Sequence, residues 1–138
     1  MDLLSQIMNN GDLPQWVQHR LNLVVKDLGD EGFDFYLEYL NLDQESFRNN
    51  NCIAWFLTED EIINVVITLQ TIQIAKHKLS CLTRVHKSIS TSTEDICNDV
   101  CVQTVTIEFA EGKKIVLNPP RYCGAGAIES YIKFISRF

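Results

Sequence analysis

Apolar residues recur along this chain with two different periods, and the change comes near residue 51. Before it, Val17, Leu21, Val24, Val25 and Leu28 repeat at the three-to-four-residue spacing of one helical face, with Trp16 flanking the stripe. Asp12 as N-cap, Pro14 in the first turn and Gly29 as a stop predict a helix over 14–28. A shorter helical pattern, Asp2 to Met8, ends at Asn9-Asn10-Gly11. The segment that follows reads in two ways. Phe33, Tyr36, Leu37 and Leu40 suit a helix, whereas Phe33, Phe35, Leu37 and Tyr39 suit a strand. The helix formers Glu31, Leu37, Glu38 and Leu40 favour the helix. Residues 1–51 are therefore expected to be helical, with Asn49-Asn50-Asn51 as the breaker.

From Cys52 onward Val, Ile and Thr dominate and alternation replaces the helical period. Ile53 to Leu57 reads as a strand. Thr58-Glu59-Asp60-Glu61 reads as a tight turn or as the capping box of a helix, since Thr-x-x-Glu fits both. The β-branched run Ile62 to Thr68 loses side-chain freedom in a helix, so a strand is favoured, with a continuous helix from Glu59 as the alternative. Further strands are expected over Thr71 to Ala75 and Leu79 to Ser88, the latter placing Leu79, Cys81, Thr83 and Val85 on one face. Ile89 to Asp99 is polar and reads as a loop. Val105, Ile107 and Phe109 alternate into the turn Ala110-Glu111-Gly112-Lys113, and Ile115 and Leu117 return the apolar face until Asn118-Pro119-Pro120 stops it. Gly124-Ala125-Gly126 opens a last helix with Ile128, Tyr131, Ile132 and Ile135 as its stripe and Phe138 extending it.

These patterns predict one α+β domain over 1–138: a helical segment (1–51), antiparallel strands (52–118) and a C-terminal amphipathic helix (125–138). At 138 residues with 46% apolar content the chain has material to bury a good core, whereas two compact domains would each fall near the size where a core becomes marginal. The segments WFLTEDEIINVVIT, IAKHKLSCLTRV, VQTVTIEFAEGKKIVLNPP and AIESYIKFISRF resemble, in element order and turn chemistry, the pleckstrin-homology-like (PH-like) superfold in its GRAM and short bacterial versions. That resemblance implies a strongly bent antiparallel sheet, a half-barrel plugged by the last helix, with the N-terminal helices outside it. PH-like folds serve lipid binding, peptide binding and scaffolding alike, so the fold would not give the function.

The net charge of −6 argues against nucleic acid and anionic lipid as general partners. Residues 1–51 hold nine acids against three bases, and no acid occurs between Ile62 and Thr93. The basic stretch carries Lys76, His77, Lys78, Arg84, His86 and Lys87. Lys76, Lys78, Arg84 and Lys87 are the candidate ligand-binding residues. As strand residues, Lys76, Lys78 and Arg84 can share one sheet edge or face and meet an acidic peptide, a phosphorylated headgroup or the acidic N-terminal segment of the same chain.

Catalytic signatures are weak. The chain has five cysteines, with no secretory leader or membrane-length apolar run in the sequence, and reduced thiols in the cytoplasm are expected. Cys97 and Cys101 are spaced C-x₃-C with no second close pair, so no metal site is expected. His19, His77 and His86 sit in no nucleophile signature, and Gly124-Ala125-Gly126 lacks the rest of a nucleotide fingerprint. No catalytic residue and no cofactor is expected. The reading is a non-enzymatic interaction or scaffold domain with a protein partner or a second copy. The alternatives are a headgroup or acidic-ligand binder through residues 76–87, and a small thiol enzyme using Cys81 or Cys123.

Overall fold

Strands that are apolar at nearly every position must be covered on both faces, and this requirement organises the molecule. A computed structural model of the chain describes residues 15–28, 32–41, 51–68, 70–90, 102–120 and 127–138. Helix α1 spans Gln15–Leu28. A four-stranded antiparallel sheet follows, ordered β1 (Asp34–Asn41), β2 (Asn51–Leu57), β3 (Glu61–Thr68), β4 (Ile72–Lys78). A 3₁₀ turn, Leu79–Cys81, leads into a three-stranded sheet of β5 (Leu82–Ser90), β6 (Val102–Phe109) and β7 (Lys114–Leu117), and helix α2 (Ala127–Ile135) follows. The α+β class holds, as do the helix before the sheets and the helix after them.

The first sheet is the middle layer. On one face Phe35, Leu37, Cys52, Ala54, Phe56, Ile63, Val65 and Ile67 form a core with Val17, Leu21 and Val24 of α1. On the other, Tyr36, Trp55, Leu57 and Ile62 pack with Val105, Ile107, Phe109, Ile115 and Leu117 of the second sheet and with Tyr131, Phe134 and Ile135 of α2. The register makes this possible: Phe35 stands opposite Phe56 and Tyr36 opposite Trp55, so successive residues feed alternate cores.

This corrects the expectation of a helix over Phe33 to Leu40. The segment is β1, inside the stretch 1–51 read as helical. A surface helix would bury one stripe, but Phe35, Tyr36, Leu37 and Glu38 are all buried, as in a strand sandwiched between two layers. The strand alternative for Ile62 to Thr68 is the one that forms. Thr58 makes a turn there rather than a helix cap: its hydroxyl accepts from the Asp60 and Glu61 amides at 3.3 and 3.0 Å. Thr68 repeats the device with Gln70 and Thr71 at 3.3 and 3.0 Å, so both ends of β3 are closed by the same hydroxyl chemistry.

Three other expectations change. Leu79 and Cys81 do not continue a strand face with Thr83 and Val85, because the chain passes from one sheet to the other through the 3₁₀ turn. Ile89 belongs to β5 rather than to a loop. On α2, Ile132 is 48% exposed, and Phe134, fully buried, takes its place in the core. The β6–β7 turn forms as the sequence implies. Gly112 sits at φ +82°, where a side chain would be strained, and donates to the Phe109 carbonyl at 2.9 Å. The readings at 2–14, Gly29, 42–50, 91–101 and 121–126 lie outside the described residues.

Helix α2 is fastened by polar contacts at both ends. Tyr131 donates to the Gln103 carbonyl and lies 3.1 Å from that of Leu117, so it ties α2 to β6 and β7. Arg137, just past the helix, donates to the Leu57 and Thr58 carbonyls at 3.3 and 3.0 Å and pairs with Asp34 at 3.6 Å. Tyr36 packs edge-on against both Tyr131 and Phe134 at 4.9 Å, yet its buried hydroxyl has no hydrogen-bond partner among the described residues.

Phe134→Ala is expected to cost about 3–5 kcal/mol, whereas Ile132→Ala should stay within about 0.5 kcal/mol; urea unfolding of the two variants separates them. Tyr36→Phe removes an unsatisfied buried hydroxyl and is expected to stabilise the fold by about 1 kcal/mol, visible as a raised Tm. A loss of stability in that variant would show that the hydroxyl has a partner.

Candidate functional site

Lys76, Lys78, Arg84 and Lys87 do not form one patch. Lys76 and Lys78 lie on β4, and Arg84 and Lys87 lie on β5, each the edge strand of a different sheet. Lys76 stands opposite Ile63, on the face covered by α1, and its Nζ pairs with Asp27 of α1 at 3.5 Å. Lys78 stands opposite Glu61 and shares with Glu59, Asp60, Glu61, Leu79 and Ser80 an open groove of about 450 Å³. Arg84 stands opposite Glu108 on the outer face of the second sheet. Each of these three cations therefore has a carboxylate of the same chain beside it or across from it. Lys76 and Lys78 do share one edge and face of β4, but Arg84 does not join them as expected, because the 3₁₀ turn puts it on the other sheet. The intramolecular role is realised for Lys76 by its pairing with α1.

Lys87 is different. Its cross-strand neighbour is Val105, which is fully buried, so Lys87 sits in the row that faces the other sheet. Val85 (opposite Ile107) and Ile89 (opposite Gln103) share that row. On the facing sheet the corresponding row of β4 is His77, Ala75 and Gln73, opposite Ile62, Asn64 and Val66. Positions that face another sheet are normally buried. Here burial fades along both strands away from the 3₁₀ turn. His77, Leu82 and Val85 are half-buried, while Ala75, Gln73 and Lys87 are exposed and Ile89 is 60% exposed. The inward-facing rows of β4 and β5 thus become more exposed with distance from the 3₁₀ turn.

The junction of the two sheets at the 3₁₀ turn is held by backbone bonds and one ring contact. The Leu79 amide donates to the Asp60 carbonyl and the Ala110 amide to the Cys81 carbonyl, both at 2.8 Å. The His77 ring lies 5.4 Å from that of Phe109. Burial lowers the His77 pKa, Lys113 lowers it further, and Glu111 opposes them. His77 is therefore a neutral packing residue near pH 7.

Sequence reasoning named Lys87 but missed Ala75, Gln73 and Ile89. The alternation in β5 looks like that of any half-buried strand, and nothing local reveals that its inward-facing positions are exposed.

The remaining chemistry is internal. Glu38 occupies a β-bulge, where the register shifts between Leu37 and Tyr39, and it is 5% exposed. Trp55 Nε1 donates to Glu38 Oε1 at 3.2 Å. Burial first and the Glu38 charge second raise the phenol pKa values of Tyr36 and Tyr131. This cluster links β1 to the second core and faces no described opening. Of the thiols, Cys52 is fully buried, and Cys81 is exposed in the 3₁₀ turn. Cys97, Cys101 and Cys123 lie outside the described residues. Among the described residues, no group of three or more His, Cys, Asp or Glu is placed to hold a metal ion, and no helix is long and apolar enough to cross a membrane.

Comparison with models of protein families, with curated proteins and with solved structures finds no match to this chain.

Burial pushes the Cys52 thiol pKa from an ordinary 9.0 up to about 12. Because the folded value is the higher one, the stability linked to this thiol is complete below pH 9.0 and declines as pH rises toward about 12. Native-state alkylation followed by peptide mapping should leave Cys52 unmodified while Cys81 reacts. Stability should also fall less steeply above pH 9.0 in Cys52→Ala than in the parent. Rapid alkylation of Cys52 in the folded protein would contradict its burial.

Proposed function

We propose that this chain is a non-enzymatic protein-interaction domain of PH-like architecture. Four antiparallel strands, then three, then a helix that packs on β1 support the PH-like reading. So does the acidic-Gly-basic turn before the last strand. The chain departs from a bare PH-like unit at its N-terminus, where α1 covers the outer face of the first sheet.

The observation that carries the functional reading is the state of β4 and β5. Both are long strands with one side unpaired among the described residues, they adjoin in sequence, and they are mostly exposed on both faces. An unpaired edge offers backbone donors and acceptors to another chain, and natural proteins shorten, cover or charge such edges unless they are used. By contrast, the buried polar groups Glu38, Trp55 and Tyr131 are engaged with one another or with backbone carbonyls. They are arranged to hold the layers together rather than to meet a substrate.

A phospholipid headgroup would need several cations converging on one anion. Lys76, Lys78 and Arg84 each face a carboxylate of their own chain instead, so the protein partner is preferred over the membrane surface.

Affinity capture with the full chain, followed by amide hydrogen exchange on the recovered complex, tests this reading. The expected result is protection confined to β4, the 3₁₀ turn and β5. Protection elsewhere with these strands unchanged, or a chain that is monomeric and partnerless in its native lysate, would overturn it.

A further inference from the structure

Two of the five large apolar side chains left exposed among the described residues lie on α1 and β4, a helix and an edge strand of the same layer pair: Leu23 at 46% and Ile74 at 39%. We infer that a second copy of this chain covers them. Its β4 pairs antiparallel with β4 of the first copy about a two-fold axis at Ile74, so that two four-stranded sheets become one of eight strands. The inference rests on the interaction-domain reading and names the partner as the chain itself.

Three observations lead to it. First, β4 (Ile72–Lys78) pairs with β3 alone among the described strands, so its outer amides and carbonyls form an open edge. Second, the edge is flanked by apolar surface on the α1 side. Lys76 Nζ meets Asp27 at 3.5 Å, and Ile72, in the same row of β4, packs on the core that α1 covers, so the helix lies along this strand. Leu23 is one helical turn before Asp27, and Ile74 stands between Ile72 and Lys76 in that row. Third, the charges that ordinarily keep an edge strand from its like are answered within the chain. Lys76 pairs with Asp27, and Lys78 stands opposite Glu61 of β3.

A two-fold axis at Ile74 also suits the order of residues along β4. Its basic residues, Lys76, His77 and Lys78, all follow Ile74, and the residues before it, Ile72 and Gln73, are uncharged. Antiparallel pairing therefore sets Ile74 against Ile74, Gln73 against Ala75 and Ile72 against Lys76, and no cation falls opposite a cation. Lys76 of one copy lies four residues along the strand from that of the other. That is about 13 Å at roughly 3.3 Å per residue, beyond the screening length of about 8 Å at physiological salt. Leu23 of each copy then approaches the seam from the α1 side, where it and Ile74 lose their exposure together. The edge of β5 is a poorer place for this operation. Arg84 and Lys87 lie about its midpoint, so a two-fold axis there gathers the cations of both copies.

Sedimentation velocity of the full chain over a concentration range of about hundredfold, with hydrogen exchange at both ends of the range, provides the test. The parent is expected to pass from monomer to dimer as concentration rises, with new protection in β4. Ile74→Lys and Ile74→Glu set like charges against each other on the axis, and each should weaken dimerisation by about tenfold or more, as should Leu23→Lys. Mixing Ile74→Lys with Ile74→Glu in equal amounts should restore a dimer, because unlike charges then meet on the axis. Restoration also shows that both variants are folded. Val116→Lys, a charge placed at a similarly exposed apolar position on β7, should leave dimerisation unchanged. A parent that stays monomeric throughout, a dimer indifferent to Ile74→Lys or equally weakened by Val116→Lys, a mixture that stays monomeric, or protection appearing only in β5 would each overturn the inference. If the parent stays monomeric while a captured partner of different sequence protects β4 and β5, only this inference falls. If neither is seen, the interaction-domain reading falls with it.

Discussion

The first sheet has no solvent face over β1 to β3, and most of the structure follows from that constraint. Its backbone hydrogen bonds are met within the sheet, but its side chains are apolar in both directions, so a layer is required on each side. Helix α1 supplies one with Val17, Leu21 and Val24, and the second sheet with α2 supplies the other. Removing either layer would expose a row of large side chains, each worth roughly 1.5–3 kcal/mol when buried. The N-terminal helix is therefore an integral layer of the fold, even though the resemblance to PH-like domains places the N-terminal helices outside.

The same constraint relaxes at the edge. At β4 the row facing the second sheet changes from the buried Ile62 to His77, Ala75 and Gln73, and the two sheets no longer need to meet. The 3₁₀ turn carries the chain across the gap and is tied down on both sides by backbone bonds from Leu79 and to Cys81.

The polar groups inside the molecule serve the layers. The Glu38 bulge turns a carboxylate toward Trp55, Tyr131 reaches backbone carbonyls of β6 and β7, and Arg137 reaches those at the end of β2. Burial drives the shifts at Tyr36, Tyr131 and Cys52 in the direction that keeps each group neutral. Groups kept neutral in this way are poor acids, bases and nucleophiles near neutral pH.

Local pattern alone determined the helix of Gln15–Leu28, the strands from Ile53 to Thr68, the Gly112 hairpin and the final helix, because in each the period and the propensities agree. The turn at Thr58 was legible as one of two readings, since its hydroxyl can serve a helix cap or a hairpin equally well. Tertiary structure decided what local pattern left ambiguous. It made Phe33 to Leu40 a strand, because burial on both faces outweighs helix propensity summed over a few residues. It chose Phe134 over Ile132 for the core, because the helix rotates to fit the surface beneath it. It also separated the lysines of one short sequence stretch onto two sheets and left Lys87 exposed in the inward-facing row of β5. The spacing between two sheets depends on contacts far apart in the chain, so no run of adjacent residues encodes it.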